Sequence, residues 1–225
     1  MKPRLLDAYC GAGGATRGYQ QAGFYVVGID IAPQPHYCGD EFIQGDALEM
    51  LADLDWLAGF DAIHASPPCQ SYSVTTNYHP ENREKYPDLI DPTRELLERS
   101  GLPWVIENVP GAPLRSPIQL CGTAFGLRLQ RHRLFESNRP LWAIQCRHGI
   151  NNWDDSLKHS TGRTKRRVVC IGEYRVPIDM QREAMEINWM DLHELSEAIP
   201  PAYTEYIGRQ LIDQLEYRAV VGEQE

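Results

Sequence analysis

Short apolar runs alternate with amphipathic stretches through the first half of the chain. Residues 4–9 predict a first strand, and Cys10-Gly11-Ala12-Gly13-Gly14 a strand-to-helix turn opening a helix over 15–22. Residues 25–31 predict a second strand, ending in the carboxylate of Asp30, and 41–44 a third, followed by an amphipathic helix over 47–57. The fourth, over 60–65, is closed off by Pro67 and Pro68, which lack the N–H donor that a central ladder requires. A helix over 92–99 and a fifth strand over 103–109 complete the series. This regular alternation predicts an α/β fold, a doubly wound mixed or parallel sheet of Rossmann-like type.

The second half is less periodic. Residues 130–135 alternate like a strand, with Arg131 and Arg133 on one face. Residues 141–164 are irregular, and 168–171 form a short apolar run. Helices are predicted over 180–187, 191–198 and, after Pro200-Pro201, 202–215. The polar stretch 71–89 has neither period and reads as a lid or binding loop. The chain thus divides into a body over 1–135, a short irregular segment over 136–178, and helices over 179–225 that return to the body.

With 225 residues and 42% hydrophobic content, one domain with an ordinary core is expected. The six cysteines form no CxxC pair and no disulfide framework, and no signal-peptide core or membrane span opens the chain. A soluble protein of a reducing, cytoplasmic compartment is expected. Net charge changes the picture further. The chain carries −9 overall, which argues against a general nucleic-acid binder. Between Arg128 and Arg167, however, ten Lys or Arg face three acids, a local +7 that leaves −16 on the remainder. Such asymmetry attracts a polyanion locally while the body stays acidic.

Four features carry candidate chemistry. The glycine turn allows close backbone approach to a ligand beside free helix N–H groups, and Asp30 stands at a spacing suited to accepting from ribose hydroxyls. Asp46 reads either as a helix N-cap or as a contact to an adenine. Cys69 sits between Pro68 and a polar loop, just past a strand's carboxyl end, where open sheets bind ligands. Glu107 ends the fifth strand at the same edge, and its flanking Trp104, Val105 and Ile106 predict burial over a solvent-facing position. Cys146, His148, His159 and Cys170 are metal-ligating types, but their spacing matches no common finger or ribbon, so no metal is expected.

Taken in order, Asp7-Ala8-Tyr9-Cys10-Gly11-Ala12-Gly13-Gly14, Pro67-Pro68-Cys69-Gln70, Glu107-Asn108-Val109 and Arg131-His132-Arg133 resemble the successive motifs of DNA cytosine-5 methyltransferases. A weaker echo lies at 200–211. The resemblance implies S-adenosylmethionine as methyl donor, leaving as S-adenosylhomocysteine, and double-stranded DNA as partner. It implies a cofactor site of Asp7, Tyr9, Gly11, Gly13, Gly14, Asp30, Ile31, Asp46, Ala47 and Pro67. Cys69 would be the nucleophile, reacting as a thiolate, and Glu107 the acid holding the cytosine edge. Arg131 and Arg133 would be the pair near base and catalytic centre. Gln70 and Ser71, with Arg163, Lys165, Arg166 and Arg167 from the basic segment, would meet the nucleic acid. On this reading 1–135 is the cofactor and catalytic domain and 136–178 a target-recognition segment of a monomer.

The chain also departs from the pattern. Gln130 directly precedes Arg131, where the family places a glutamine two residues before. The C-terminal Gly-Asn signature is replaced by Ala198-Ile199-Pro200-Pro201-Ala202-Tyr203 and Ile207-Gly208. The recognition segment is short, which keeps a partner-supplied recognition element and a transfer RNA cytosine-5 methyltransferase in view. A catalytically idle DNA-binding protein of the same fold is the third reading.

Overall fold

The computed structural model describes residues 1–69, 72, 87–148 and 168–222, with side chains to residue 217. A seven-stranded sheet forms its centre, in the order β3-β2-β1-β4-β5-β7-β6. Strand β1 (Arg4–Ala8) pairs in parallel with β2 (Tyr25–Asp30) on one side and β4 (Ala62–Ala65) on the other. Beyond them lie β3 (Glu41–Gln44) and β5 (Trp104–Asn108), also parallel. Strand β7 (His132–Ser137) runs antiparallel to β5, and β6 (Ile118–Cys121) pairs antiparallel with β7 at the edge. The chain leaves β1 toward β2 and later returns to β4 on the opposite side, so the topology opens a crevice at the carboxyl ends of β1 and β4.

Burial on both faces explains the apolar runs. Successive residues of a strand point to opposite faces. Leu6, Val27, Ile63 and Ile106 accordingly pack with Leu51 and Leu57 of α2 (Ala47–Ala52) and α3 (Leu54–Leu57). Their neighbours Leu5, Val26 and Val105 pack on the other face with Tyr19 of α1 (Gly14–Ala22) and Tyr203, Ile207 and Leu211 of α7 (Pro201–Gly222). The helix expected over 47–57 is broken at Asp53, whose carboxylate caps α3 by accepting from Trp56 N at 3.0 Å. Aspartate favours that capping bond over a helix interior.

Strand β6 was not anticipated, because its four residues alternate too briefly to read and gain their place only by pairing with β7. The strand expected from residue 130 starts at His132 and runs to Ser137, leaving Arg131 ahead of the ladder. A buried ion pair locks β7 to α4 (Ile90–Ser100): Arg94 donates through Nε and a terminal nitrogen to the two carboxylate oxygens of Glu136, at 2.7 and 2.9 Å.

Glycines let α7 lie directly on α1. A Cβ at Gly18 would stand 2.1 Å from the Pro201 carbonyl oxygen and from Thr204 Oγ1, and one at Gly14 would stand 2.7 Å from the Ile199 carbonyl oxygen. Thr204 Oγ1 donates to the Ala15 carbonyl at 2.8 Å across this contact. The preceding helix α6 (Leu192–Glu197), against which α5 (Ile178–Met185) packs, is thereby brought to the crevice. Among the described residues, no helix is long and apolar enough to cross a membrane.

Candidate active site

A cavity of about 410 Å³ fills the crevice, lined from β1, β2, the loop after β4, β5, β7 and the chain around α6. At its first end the backbone turns sharply after β1, with Tyr9 at φ 59° and Gly11 at φ 51°. A tyrosine in the left-handed region needs outside support, and its hydroxyl finds it 2.9 Å from Thr93 Oγ1. Asp30 braces the same turn: Oδ2 accepts from Gly11 N at 2.9 Å and Oδ1 from Ala32 N at 3.0 Å. Asp7 lies beneath, wholly buried and accepting from the Thr16 hydroxyl through Oδ2. Its Oδ1 is buried without a partner. Burial, reinforced by the nearby Asp30 charge, pushes the Asp7 carboxyl up to about 7 despite the Thr16 bond.

The second end is built on the turn after β4. Asn108 Nδ2 donates to the Pro67 carbonyl at 2.9 Å, and Tyr72 N to the Cys69 carbonyl at 2.9 Å, so the rigid Pro-Pro-Cys loop is tied to β5 and to itself. Glu107 is 7% exposed. Arg133 Nε lies 3.0 Å from Glu107 Oε1, yet that oxygen accepts no well-aligned hydrogen bond. Burial pushes the Glu107 carboxyl above its ordinary range, outweighing Arg133, Arg131 and a Ser66 hydrogen bond, which all pull it down. The Cys69 thiol is raised too, by burial first and by Glu107 second, with Arg133 opposing. Cys69 therefore rests as a thiol, in contrast to the thiolate its expected role requires.

A buried chain of side chains reaches Glu107 from behind. Tyr19 OH lies 3.0 Å from His64 Nδ1, and His64 Nε2 lies 2.9 Å from Ser66 Oγ, whose hydroxyl pulls the Glu107 carboxyl down. Burial lowers His64 to about 3, so the ring is neutral. With Tyr19 donating to Nδ1, the Nε2 proton goes to Ser66, whose own hydroxyl proton is then free for the carboxylate.

Asp7, Tyr9, Gly11, Gly14, Asp30, Ile31, Pro67, Cys69, Glu107 and Arg133 all line this cavity, and Gly13, Asp46, Ala47 and Arg131 do not. Gly13 sits behind the turn, its carbonyl accepting from Cys38 Sγ at 3.1 Å. Asp46 caps α2, accepting from Leu48 N at 2.8 Å, and Ala47 is buried in the core beneath it. Arg131 turns away from the cavity to donate to the Ser196 carbonyl, while Tyr203 OH donates to the Arg131 carbonyl. Burial and the neighbouring Arg133 lower the Arg131 guanidinium to about 9. It joins the start of β7 to α6 and α7. Gln70, Ser71, Arg163, Lys165, Arg166 and Arg167 lie outside the described residues.

The far wall was not resolved residue by residue from the sequence. Met190, His193, Glu194, Glu197, Ala198 and Ile199 form it. Trp189 Nε1 donates to the Ala12 carbonyl at 2.8 Å, and His36 Nδ1 lies 2.9 Å from Glu194 Oε1. The pairing of Glu194 and Glu197 on one face of α6 was the available signal. The metal-ligating types are also regrouped. Among the described residues, Cys146 and His148 meet Cys121 and His132 rather than Cys170; His159 lies outside the described residues.

No known family profile matches the sequence, and no curated protein matches it. Solved structures do match the fold. One is a prophage-encoded E. coli protein described as a DNA modification methyltransferase, with TM-score 0.63 at 14% identity, covering 95% of this chain and 99% of that one. Another is the S. pombe Dnmt2 methyltransferase, with TM-score 0.66 at 13% identity over 96% of this chain and 99% of that one. The Entamoeba histolytica methyltransferase EhMeth matches with TM-score 0.57 at 11% identity, over 96% and 99%. The fold is a Rossmann-like α/β fold with a seven-stranded mixed sheet, shared with these methyltransferase structures.

Proposed function

We propose that this protein transfers a methyl group from S-adenosylmethionine to carbon 5 of a cytosine turned out of duplex DNA, through a transient covalent bond to Cys69. One observation carries the reading: Cys69, Glu107 and Arg133 line the same cavity as Asp7 and Asp30. The residues suit the cofactor. The unpartnered Oδ1 of Asp7 is a buried acceptor for an ammonium group, the Asp30 carboxylate is an acceptor for a diol, and exposed Ile31 offers an apolar face to a purine. S-adenosylmethionine supplies, when bound, a methyl group on an electrophilic sulfonium sulfur.

The protein's own side chains do the rest. Burial raises the proton affinity of Glu107, so that on meeting the base it takes up a proton and shares it with ring nitrogen 3 of the cytosine as negative charge builds there. The Cys69 thiolate adds to carbon 6, and the electron pair displaced by the new S–C bond makes carbon 5 nucleophilic. After carbon 5 is methylated, loss of its proton expels the thiolate and restores the ring. Thiolate formation follows from the charges around it. Glu107 raises the Cys69 pKa while it is ionised, so a protonated Glu107 engaged with the base leaves Arg133 as the dominant charge near the sulfur. The Tyr19–His64–Ser66 chain holds the Glu107 carboxyl and offers a route for its proton.

A duplex carrying 5-fluorocytosine tests the proposal, because fluorine cannot leave carbon 5 as a proton does. A denaturation-resistant protein–DNA adduct is expected, dependent on S-adenosylmethionine and absent in Cys69→Ala. Capture of fluorinated transfer RNA alone would keep the chemistry and overturn the DNA assignment. Separately, Asp30→Ala should weaken S-adenosylmethionine by about 1–3 kcal/mol in calorimetry.

A further inference from the structure

Cys121 and His132 stand directly opposite each other in the antiparallel β6–β7 ladder, so both side chains leave the sheet on the same face. That face is opposite the one from which Arg133 reaches Glu107, because successive strand residues alternate. Residues Cys146 and His148 arrive from the chain beyond β7, which is held along α7 by Gln210 Oε1 accepting from Trp142 N at 2.7 Å and by Gln214 Nε2 donating to the Pro140 carbonyl at 2.9 Å. The donor atoms of all four residues lie within 4.8 Å of one another. Cys121 Sγ is 3.3 Å from His148 Nε2, and Cys146 Sγ is 3.5 Å from His132 Nε2.

We infer that Cys121, His132, Cys146 and His148 form a structural zinc site, separate from the active-site cavity. Tetrahedral zinc with Zn–S bonds of about 2.3 Å and Zn–N bonds of about 2.0–2.1 Å sets sulfur–nitrogen edges of about 3.6 Å. The two observed separations are close to that edge without rearrangement of the backbone. Two sulfurs and two imidazoles with no carboxylate exclude a magnesium- or calcium-type site and select a softer ion. All four ligand positions are filled by protein, which marks a structural rather than a catalytic centre.

The surroundings have the supporting contacts such a site requires. Thr123 Oγ1 lies 3.3 Å from Cys121 Sγ and accepts from Arg147 N at 3.2 Å. With Cys121 bound to the ion as a thiolate, the Thr123 hydroxyl would donate to its sulfur, and the same residue fixes the backbone between Cys146 and His148. Zinc binding would displace the two thiol protons to solvent and close two Zn–S and two Zn–N bonds, with no redox change. Its physical consequence is positional. The ion ties the chain at 146–148 to β6 and β7, immediately before residues 149–167, while on their far side Val169 N donates to the Arg128 carbonyl at 2.7 Å. The described residues on either side of 149–167 are then anchored near the start of β7.

The test is metal analysis of the full chain, purified under reducing conditions, equilibrated with zinc and stripped of loosely held ion. About one zinc per chain is expected, falling at least about tenfold in Cys146→Ser and in His148→Ala. Cobalt substitution of the wild-type protein should give thiolate-to-metal charge-transfer absorption, which Cys146→Ser should lose together with the ion. Neither residue lines the cavity, so S-adenosylmethionine affinity should be unchanged in both variants, which also shows that they fold. Wild-type protein that retains no more zinc than Cys146→Ser, or a Cys121–Cys146 disulfide in place of metal under reducing conditions, would overturn the site and leave the methyl-transfer proposal untouched.

Discussion

Arg133 Nε and Glu107 Oε1 stand 3.0 Å apart at the mouth of the Pro67-Pro68-Cys69 loop, and the pair sets opposite influences on one thiol. Glu107 raises the Cys69 pKa and Arg133 lowers it. Glu107→Gln removes the raising charge, so Cys69 should alkylate with iodoacetamide faster at neutral pH than in the wild type. Arg133→Ala should alkylate more slowly and need higher pH. Equal rates in the two variants would detach this pair from the sulfur. On turnover the order reverses for Glu107, whose loss should cost roughly 10²–10⁴-fold, the usual contribution of a positioned general acid.

Asp7 makes the folded protein pH-dependent in an unusual direction. Its carboxyl rises from 3.8 to about 7 on folding, so the folded state holds the proton more tightly than the unfolded one. Stability contributed by Asp7 is complete below about pH 4 and is lost as pH rises to about 7. Asp7→Asn should therefore raise the melting temperature of the ligand-free protein at pH 8. The gain should be at most about 4 kcal/mol, at 1.36 kcal/mol per pK unit. His64, lowered to about 3 by burial, works the other way, its stabilising contribution being lost as pH falls below 6.5. In Asp7→Asn only the His64 slope is left of the two, and thermal melts from pH 4 to pH 8 would reveal it. The same variant should bind S-adenosylmethionine more weakly, because an amide cannot replace the buried anion.

Asn108 fastens the cysteine loop through the Pro67 carbonyl. Asn108→Ala strands that carbonyl, a loss of about 1–3 kcal/mol for an unmade buried bond. The expected pattern is a lower kcat with little change in S-adenosylmethionine affinity, since the loop carries Cys69 and the glycine turn carries the cofactor residues. A stability loss with unaltered kcat would make Asn108 a purely structural bond.

Gly18 tests the contact between α1 and α7. Its missing Cβ would overlap the Pro201 carbonyl and Thr204 hydroxyl, so Gly18→Ala must part the helices. A destabilisation of about 1–3 kcal/mol is expected from overpacking, read by chemical denaturation. Because Met190, Glu197 and Ile199 line the cavity just ahead of α7, cofactor affinity should fall with it. Gly59→Ala, where the nearest contact is 3.4 Å, is the control.

Much of the architecture was legible because it is local. Apolar runs of strand length, the glycine turn after Ala8 and the Pro67-Pro68 stop all declare themselves within a few residues, and β2, β3 and β5 appear within two residues of where they were expected. Asp53 shows the limit of that reading: an amphipathic stretch over 47–57 has helical period throughout, but one capping bond to Trp56 splits it. The strand β6 had no legible pattern, because a four-residue edge strand is defined by its partner and not by its own alternation.

Local pattern was enough to place the strand-ending chemistry: Asp7, Asp30, Cys69 and Glu107 all stand at or just past the carboxyl ends of strands, and strand ends meet at one edge in a sheet wound this way. Which neighbours complete it follows from long-range packing alone. Arg131 and Arg133 share a period, yet one turns to Ser196 and the other to Glu107, because their partners come from elements far apart in the chain. The Tyr19–His64–Ser66 chain crosses from α1 to β4, and the cysteine–histidine cluster joins β6, β7 and the loop beyond them. Such contacts carry no local signature. They exist because burial of both sheet faces fixes the strand order, and the strand order fixes which distant side chains share a space.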